Sequence, residues 1–194
     1  MLESAAGKFE PVVENLTMAS IKRRTVIALA LTGLVVSIMP PAEVQAFDAR
    51  QLSFYHTHTQ QKLDVVYFEN GEYVDSALAK VNRFLKDFRT GDVAEMDPQL
   101  LDILYDLRSE LGSEETFEVI SAYRSPKTNE MLRANGGGVA KNSQHLLGNA
   151  IDVRLRGIKT VNLRDKALEM QRGGVGYYQK SDFVHLDTGR VRRW

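Results

Sequence analysis

The chain has no cysteine among its 194 residues. That absence excludes disulfides, thiolate metal sites and cysteine nucleophiles together, so stability must come from packing, helped by any metal the chain binds. An excess of one charge is missing too, since Lys plus Arg and Asp plus Glu each number 25. This balance gives no electrostatic reason to expect nucleic acid as a partner. A membrane-length apolar run is also lacking: the uncharged stretch from Thr25 to Ile38 covers 14 residues, short of the roughly 20 that a spanning helix needs.

That short run follows Lys22-Arg23-Arg24 and precedes Val44-Gln45-Ala46. A basic segment, a brief apolar core and a small-residue site make up a secretory signal. Residues 1–46 are therefore expected to be an export signal, cleaved between Ala46 and Phe47, although a retained N-terminal anchor is the alternative reading. Paired arginines suit a Tat route as well as Sec. Glu3, Glu10 and Glu14 are an unusual lead-in, which makes Met18 an alternative start to Met1. The expectation is one exported domain, residues 47–194, periplasmic or in the cell envelope, with no stable membrane span once the signal is removed.

What is present reads as a globular domain, 43% hydrophobic and 26% charged, with no internal repeat. Leu52–Thr59 and Leu63–Phe68 are β-type runs that Asn70-Gly71 closes, an N-terminal hairpin or meander. Leu78, Val81, Leu85 and Phe88 recur at helical spacing, predicting a helix over 76–88. Asp97-Pro98 starts a second helix that Gly112 ends. Phe117–Ser121 predicts a strand, Ser125-Pro126 a short helix, Ala150–Leu155 a strand and Asn162–Gln171 a helix. Asn135-Gly136-Gly137-Gly138 matches no phosphate-cradling motif and reads as a loop.

The stretch Ser143-Gln-His-Leu-Leu-Gly-Asn-Ala-Ile-Asp152 offers an imidazole at His145 and a carboxylate at Asp152, and Phe183–Asp187 adds a second imidazole at His185. Two neutral nitrogens and one anionic oxygen suit a single zinc ion and leave its fourth position open, as in catalytic sites. His56 and His58 alternate onto one strand face. They read as solvated or substrate-facing side chains, with metal contact as the lesser alternative.

Ser-x-His-x-x-Gly-x-Ala-x-Asp with a late histidine resembles the zinc peptidases of the D-Ala-D-Ala peptidase and Hedgehog-like group. Ser121-Ala122-Tyr123-Arg124-Ser125 is similar to that group's Tyr-Arg-Ser element. Gly173-Gly174-Val175-Gly176-Tyr177-Tyr178 running into Phe183-Val184-His185 is most similar to the murein endopeptidase K branch. The resemblance covers about Phe47 to Trp194. It implies a compact α+β fold with a small antiparallel sheet carrying the zinc site and helices packed around it. It also implies a zinc-dependent murein endopeptidase that cuts stem-peptide cross-links of peptidoglycan, of the L,D type between diaminopimelate residues. A carboxypeptidase acting on stem peptides, or a non-catalytic metal-containing module that binds the wall, are the alternatives.

For the site, the resemblance implies His145, Asp152 and His185 as metal ligands, Arg124 as partner of the substrate or its oxyanion, and Ser143 and Tyr123 as substrate contacts. Many members of the group carry Glu three residues before the last histidine; here Asp182 holds that position and is a candidate general base. Asp187 competes for the role, because in a strand it shares a face with His185 and could instead orient it.

Overall fold

A computed structural model describes residues 48–136 and 139–194. The export signal, its cleavage point, the choice of start and Gly137-Gly138 of the loop lie outside the described residues. The described part opens with the expected hairpin, strand β1 (Arg50–His56) antiparallel to β2 (Lys62–Glu69), extended by the two-residue strand β3 (Glu72–Tyr73). Leu52, Phe54, Val65 and Tyr67 are buried while Asp64 and Val66 are exposed, the alternation that a strand's period of two imposes.

Helix α1 (Asp75–Phe84) is shorter than the spacing predicts. Beyond Leu85 the chain turns instead, because the buried carboxylate of Asp87 accepts from the Arg89 amide at 2.9 Å and from the Ser125 amide and hydroxyl at 2.9 and 2.7 Å. Those donors offer the backbone an alternative to another helical turn. Phe88, expected on the helix face, instead stacks on His58 with ring centroids 4.1 Å apart. The next helix, α2 (Pro98–Glu110), begins as read: the Asp97 side chain accepts from the Gln99 amide at 3.0 Å and proline takes the first helical position.

Strand β4 (Phe117–Ser121), helix α3 (Pro126–Ala134), strand β5 (Ala150–Leu155) and helix α4 (Thr160–Met170) follow. Strands β6 (Gly174–Tyr178), β7 (Phe183–Asp187) and β8 (Arg192–Arg193) complete the chain. All eight strands join one sheet in the order β3-β2-β1-β4-β5-β7-β6-β8. The fold is α+β as expected, but the sheet is larger than expected and mixed. Pairing is antiparallel through β4, β5, β7 and β6, where the site lies, and parallel between β1 and β4 and between β6 and β8. The β1–β4 pair is parallel because α1 and α2 are threaded between those strands, carrying the chain back to the same end of the sheet.

The core forms where these helices meet the sheet. Leu100, Leu104 and Leu107 of α2 and Leu163 of α4 are buried with Phe54, Phe117, Ile151, Val153, Val184 and Leu186. Each such side chain contributes roughly 1.5–3 kcal/mol on leaving water. Asp102 of α2 fastens the hairpin to this core by accepting from Arg50 at 2.9 Å, Tyr67 at 3.0 Å and Tyr73 at 2.5 Å. Since Ile151, Val153, Val184 and Leu186 face the core, Asp152 and His185 between them, and Asp187 two residues after His185, turn to the opposite face. No helix among the described residues is long and apolar enough to cross a membrane.

Candidate metal centre

Asp152 on β5 and His185 on β7 are direct cross-strand partners, so the ladder itself sets their side chains next to each other. His145 arrives from a 3-10 turn, Gln144–Leu147, that ends at Gly148 in the left-handed conformation. A Cβ at Gly148 would lie 2.0 Å from the Glu95 carbonyl oxygen, so only glycine lets the turn close here. The exit of β4 receives the turn: the Arg124 amide donates to the His145 carbonyl at 3.0 Å.

The outcome is a triangle of ligand atoms. His145 Nε2 lies 3.1 Å from His185 Nδ1 and 3.3 Å from Asp152 Oδ1, and His185 Nδ1 lies 2.9 Å from Asp152 Oδ1. Ligands bonded to zinc at 2.0–2.1 Å in a tetrahedron stand about 3.3 Å apart. The far nitrogens assign the tautomers. His145 Nδ1 donates to the Ala122 carbonyl at 2.6 Å, and His185 Nε2 donates to Asp187 Oδ2 at 2.8 Å. Both inward nitrogens of the neutral rings therefore carry lone pairs, facing each other and a carboxylate oxygen. Three buried acceptors with no donor among them repel unless a cation sits between them, and the donor set fits a metal ion.

A proton can stand in for the cation, turning an inward imidazole nitrogen into a donor to Asp152, and the acid–base behaviour of the residues reflects it. Burial alone would raise the Asp152 carboxyl, but the charge and hydrogen bond of His145, then those of His185, outweigh it and hold it far below the usual carboxylate range. Burial alone would lower His185, yet its hydrogen bonds to Asp152 and Asp187 raise it. Both shifts express one fact: the pocket draws positive charge, whether as a proton or as a metal ion.

A cavity of about 270 Å³ opens over the triangle, and Arg124, Ser143, Tyr178 and Trp194 line it. The Arg124 guanidinium is buried, with Nη1 donating to Asn129 at 3.4 Å and Nε without a partner. Arg124 thus brings a buried cation to the lining of the same cavity, with one donor that no protein acceptor satisfies. Ser143 lines the cavity while its hydroxyl accepts from the His145 amide at 3.4 Å, capping the turn. Tyr123 packs against the core and is not part of the cavity lining.

The two candidate bases part company. Asp182 is exposed and in the left-handed region at φ 50°, and its carboxylate accepts from Thr160 at 2.6 Å beside Arg154, in a separate depression next to the start of α4. Asp182 stands just before β7, and its left-handed backbone sets the side chain toward the start of α4 rather than into the cavity over the triangle. Asp187 does share the face of His185, but it is buried and saturated, accepting from His185, from Arg192 at 2.9 and 2.6 Å, and from the amides of Gly174 and Gly189. Those bonds, against the opposing effect of burial, hold its carboxyl well below the ordinary range. Asp187 is thus built to orient His185 and fix its tautomer. His56 and His58 lie apart: His56 is buried against Phe84 and Phe88, and neither lines the cavity.

Two residues at the mouth were not singled out by sequence reasoning. The Trp194 indole lies over His185, with ring centroids 5.1 Å apart, and donates through Nε1 to the Tyr178 hydroxyl at 3.0 Å. It fits there because Gly176 lies beneath it, where a Cβ would come within 2.6 Å of the ring. The signal was present in the Gly174-Val-Gly-Tyr-Tyr178 motif, but the pairing that brings the chain end alongside it was not.

An open-sided His–Asp–His set with a buried guanidinium over the same cavity defines a metallopeptidase-type centre. The chain belongs to the family described as peptidoglycan L,D-endopeptidase MepK, whose model matches residues 44–194. It is 41% identical over 175 residues to the peptidoglycan L,D-endopeptidase MepK of Escherichia coli strain K12, covering 89% of this chain and 96% of that relative. It is 37% identical over 176 residues to the probable peptidoglycan L,D-endopeptidase MepK of Haemophilus influenzae, covering 89% and 95%. No solved structure matches.

Proposed function

We propose that this protein hydrolyses the L,D peptide bond between diaminopimelate residues in cross-linked peptidoglycan, outside the cytoplasmic membrane, with one zinc ion held by His145 Nε2, Asp152 Oδ1 and His185 Nδ1. Family membership supports the peptidoglycan endopeptidase activity. The convergence of three acceptors within 2.9–3.3 Å, with the tautomers fixed by Ala122 and Asp187, carries the metal assignment. Export by residues 1–46, with cleavage before Phe47, would bring the domain to this substrate.

When bound, the ion would supply an acidified water and a Lewis acid for the amide carbonyl. The rest is the work of the chain. Asp187, braced by Arg192, keeps the proton of His185 on Nε2 and its lone pair on Nδ1. Arg124 presents a guanidinium that cannot lose its proton, suited to a substrate carboxylate or to the oxyanion that forms as the carbonyl carbon becomes tetrahedral. Ser143 holds the turn that carries His145.

The test is to incubate the purified protein with intact cross-linked peptidoglycan, alone, with chelator, and with zinc restored, and to identify released fragments by mass spectrometry. After the glycan is digested with a muramidase, disaccharide-linked monomers split between diaminopimelate residues are expected in place of the cross-linked dimers, an effect lost with chelator and regained with zinc. Folded, zinc-loaded protein that leaves the dimers intact would overturn the peptidase reading.

A further inference from the structure

Hydrolysis of an amide needs a group that gives the departing nitrogen a proton, because an amide anion is too basic to leave. The two carboxylates that sequence spacing offers do not fill this place: Asp182 lies in another depression, and Asp187 is saturated by five donated hydrogen bonds. His145, Asp152 and His185 are taken by the metal site, Arg124 and Arg192 keep their protons, and the Ser143 hydroxyl, which accepts from the His145 amide, is an aliphatic alcohol and a far weaker acid than a phenol. Among the described residues that line the cavity, Tyr178 is left as the group able to give up a proton and take it back.

The position of Tyr178 fits that part. Its ring stacks on Phe183, with centroids 4.5 Å apart at 16°, which fixes the direction of the hydroxyl. Indole Nε1–H can only donate, so in the 3.0 Å bond from Trp194 the Tyr178 oxygen is the acceptor and its own proton remains free. The same indole bond strengthens when the oxygen becomes negative, so Trp194 stabilises the phenolate left by proton transfer.

We propose that Tyr178 is the proton donor to the leaving amine, with Trp194 positioning it. As the C–N bond breaks, its electron pair stays on nitrogen, which takes the Oη proton of Tyr178. The attacking water releases one proton to solvent as it adds, and the phenolate recovers an equivalent proton from solvent once the amine has left. Water thus adds hydroxyl to the carbonyl carbon and hydrogen to the amine, and Tyr178 ends unchanged. The assignment rests on the peptidase reading above.

Tyr178→Phe keeps the stack on Phe183 and removes only the hydroxyl. The experiment compares parent and variant on a diaminopimelate-linked stem-peptide dimer and on its ester analogue, in which the scissile NH is replaced by oxygen. An alkoxide leaves with far less need of a proton. The variant should lose about 10²- to 10⁴-fold in kcat on the amide with little change in KM, and less than about 10-fold on the ester. Zinc stoichiometry and melting temperature should equal those of the parent. Equal losses on amide and ester, parent-like kcat on the amide, or loss of zinc would overturn the assignment. A zinc-loaded parent that cleaves neither substrate would instead overturn the peptidase reading, and this assignment with it.

Discussion

Asp187 Oδ2 lies 2.8 Å from Nε2 of His185, on the side of the ring away from the metal site. The proton is therefore held where it cannot compete with a metal ion for Nδ1. Replacing Asp187 with Ala removes that control and leaves Arg192 without its partner. Zinc affinity is expected to fall about 10- to 100-fold, measured by competition with a chromogenic chelator. An affinity equal to the parent's would show that His185 keeps its tautomer without help.

Asp182→Ala gives the opposite expectation. Its carboxylate serves Thr160 and Arg154 outside the cavity. Hydrolysis of peptidoglycan should stay within about threefold of the parent, and stability should fall by no more than about 1 kcal/mol, the scale of one partly exposed hydrogen bond. A hundredfold loss of hydrolysis with zinc retained would return the proton-transfer role to Asp182.

Zinc should raise the melting temperature more at pH 8 than at pH 5.5. The raised His185 gives the metal-free fold a share of stability that is fully present below 6.5 and is lost as pH rises through its folded value. A metal ion replaces that proton, so its binding strengthens as the proton leaves. At a hundredfold excess over Kd the ion adds about 2.7 kcal/mol. Scanning calorimetry with and without zinc reads the difference; an increment that shrinks as pH rises would contradict the linkage.

His56 predicts a separate pH effect of the other sign. Burial, with a smaller contribution from His58, lowers its pKa from 6.5 to about 4. Its Nε2 is buried without a partner. The unfolded chain takes the proton first, so this share of stability is full above 6.5 and is lost as pH falls towards 4. Between pH 7.5 and pH 5 it amounts to about 2 kcal/mol. Urea unfolding of His56→Phe should show that slope removed; an unchanged slope would place its origin elsewhere.

The His145–Asp152–His185 cluster was legible because residues able to hold a metal announce themselves by type and, on strands, by parity: Asp152 sits between two core residues, and so does His185. Asp182 was legible as a candidate by its spacing to His185, which matches the resemblance, but not its placement: a left-handed backbone at a residue other than glycine sets it beside Thr160, and that φ has no mark in the sequence. The helix starts at Asp97-Pro98 and Ser125-Pro126 were legible because capping is local. The early end of α1 was not, since it depends on Asp87 meeting Ser125 across the fold. Tyr178 and Trp194 escaped for the same reason: their meeting is made by the parallel pairing of β6 with β8, which only the whole sheet determines.

Trp194 is the single tryptophan of the chain. Its ring lies against the His185 imidazole, so the indole emission of the protein originates at the mouth of the candidate metal centre. Titration with cobalt, whose absorption can drain that emission, would follow loading in real time. A stopped-flow trace of the same light would separate substrate arrival from product departure without any attached dye.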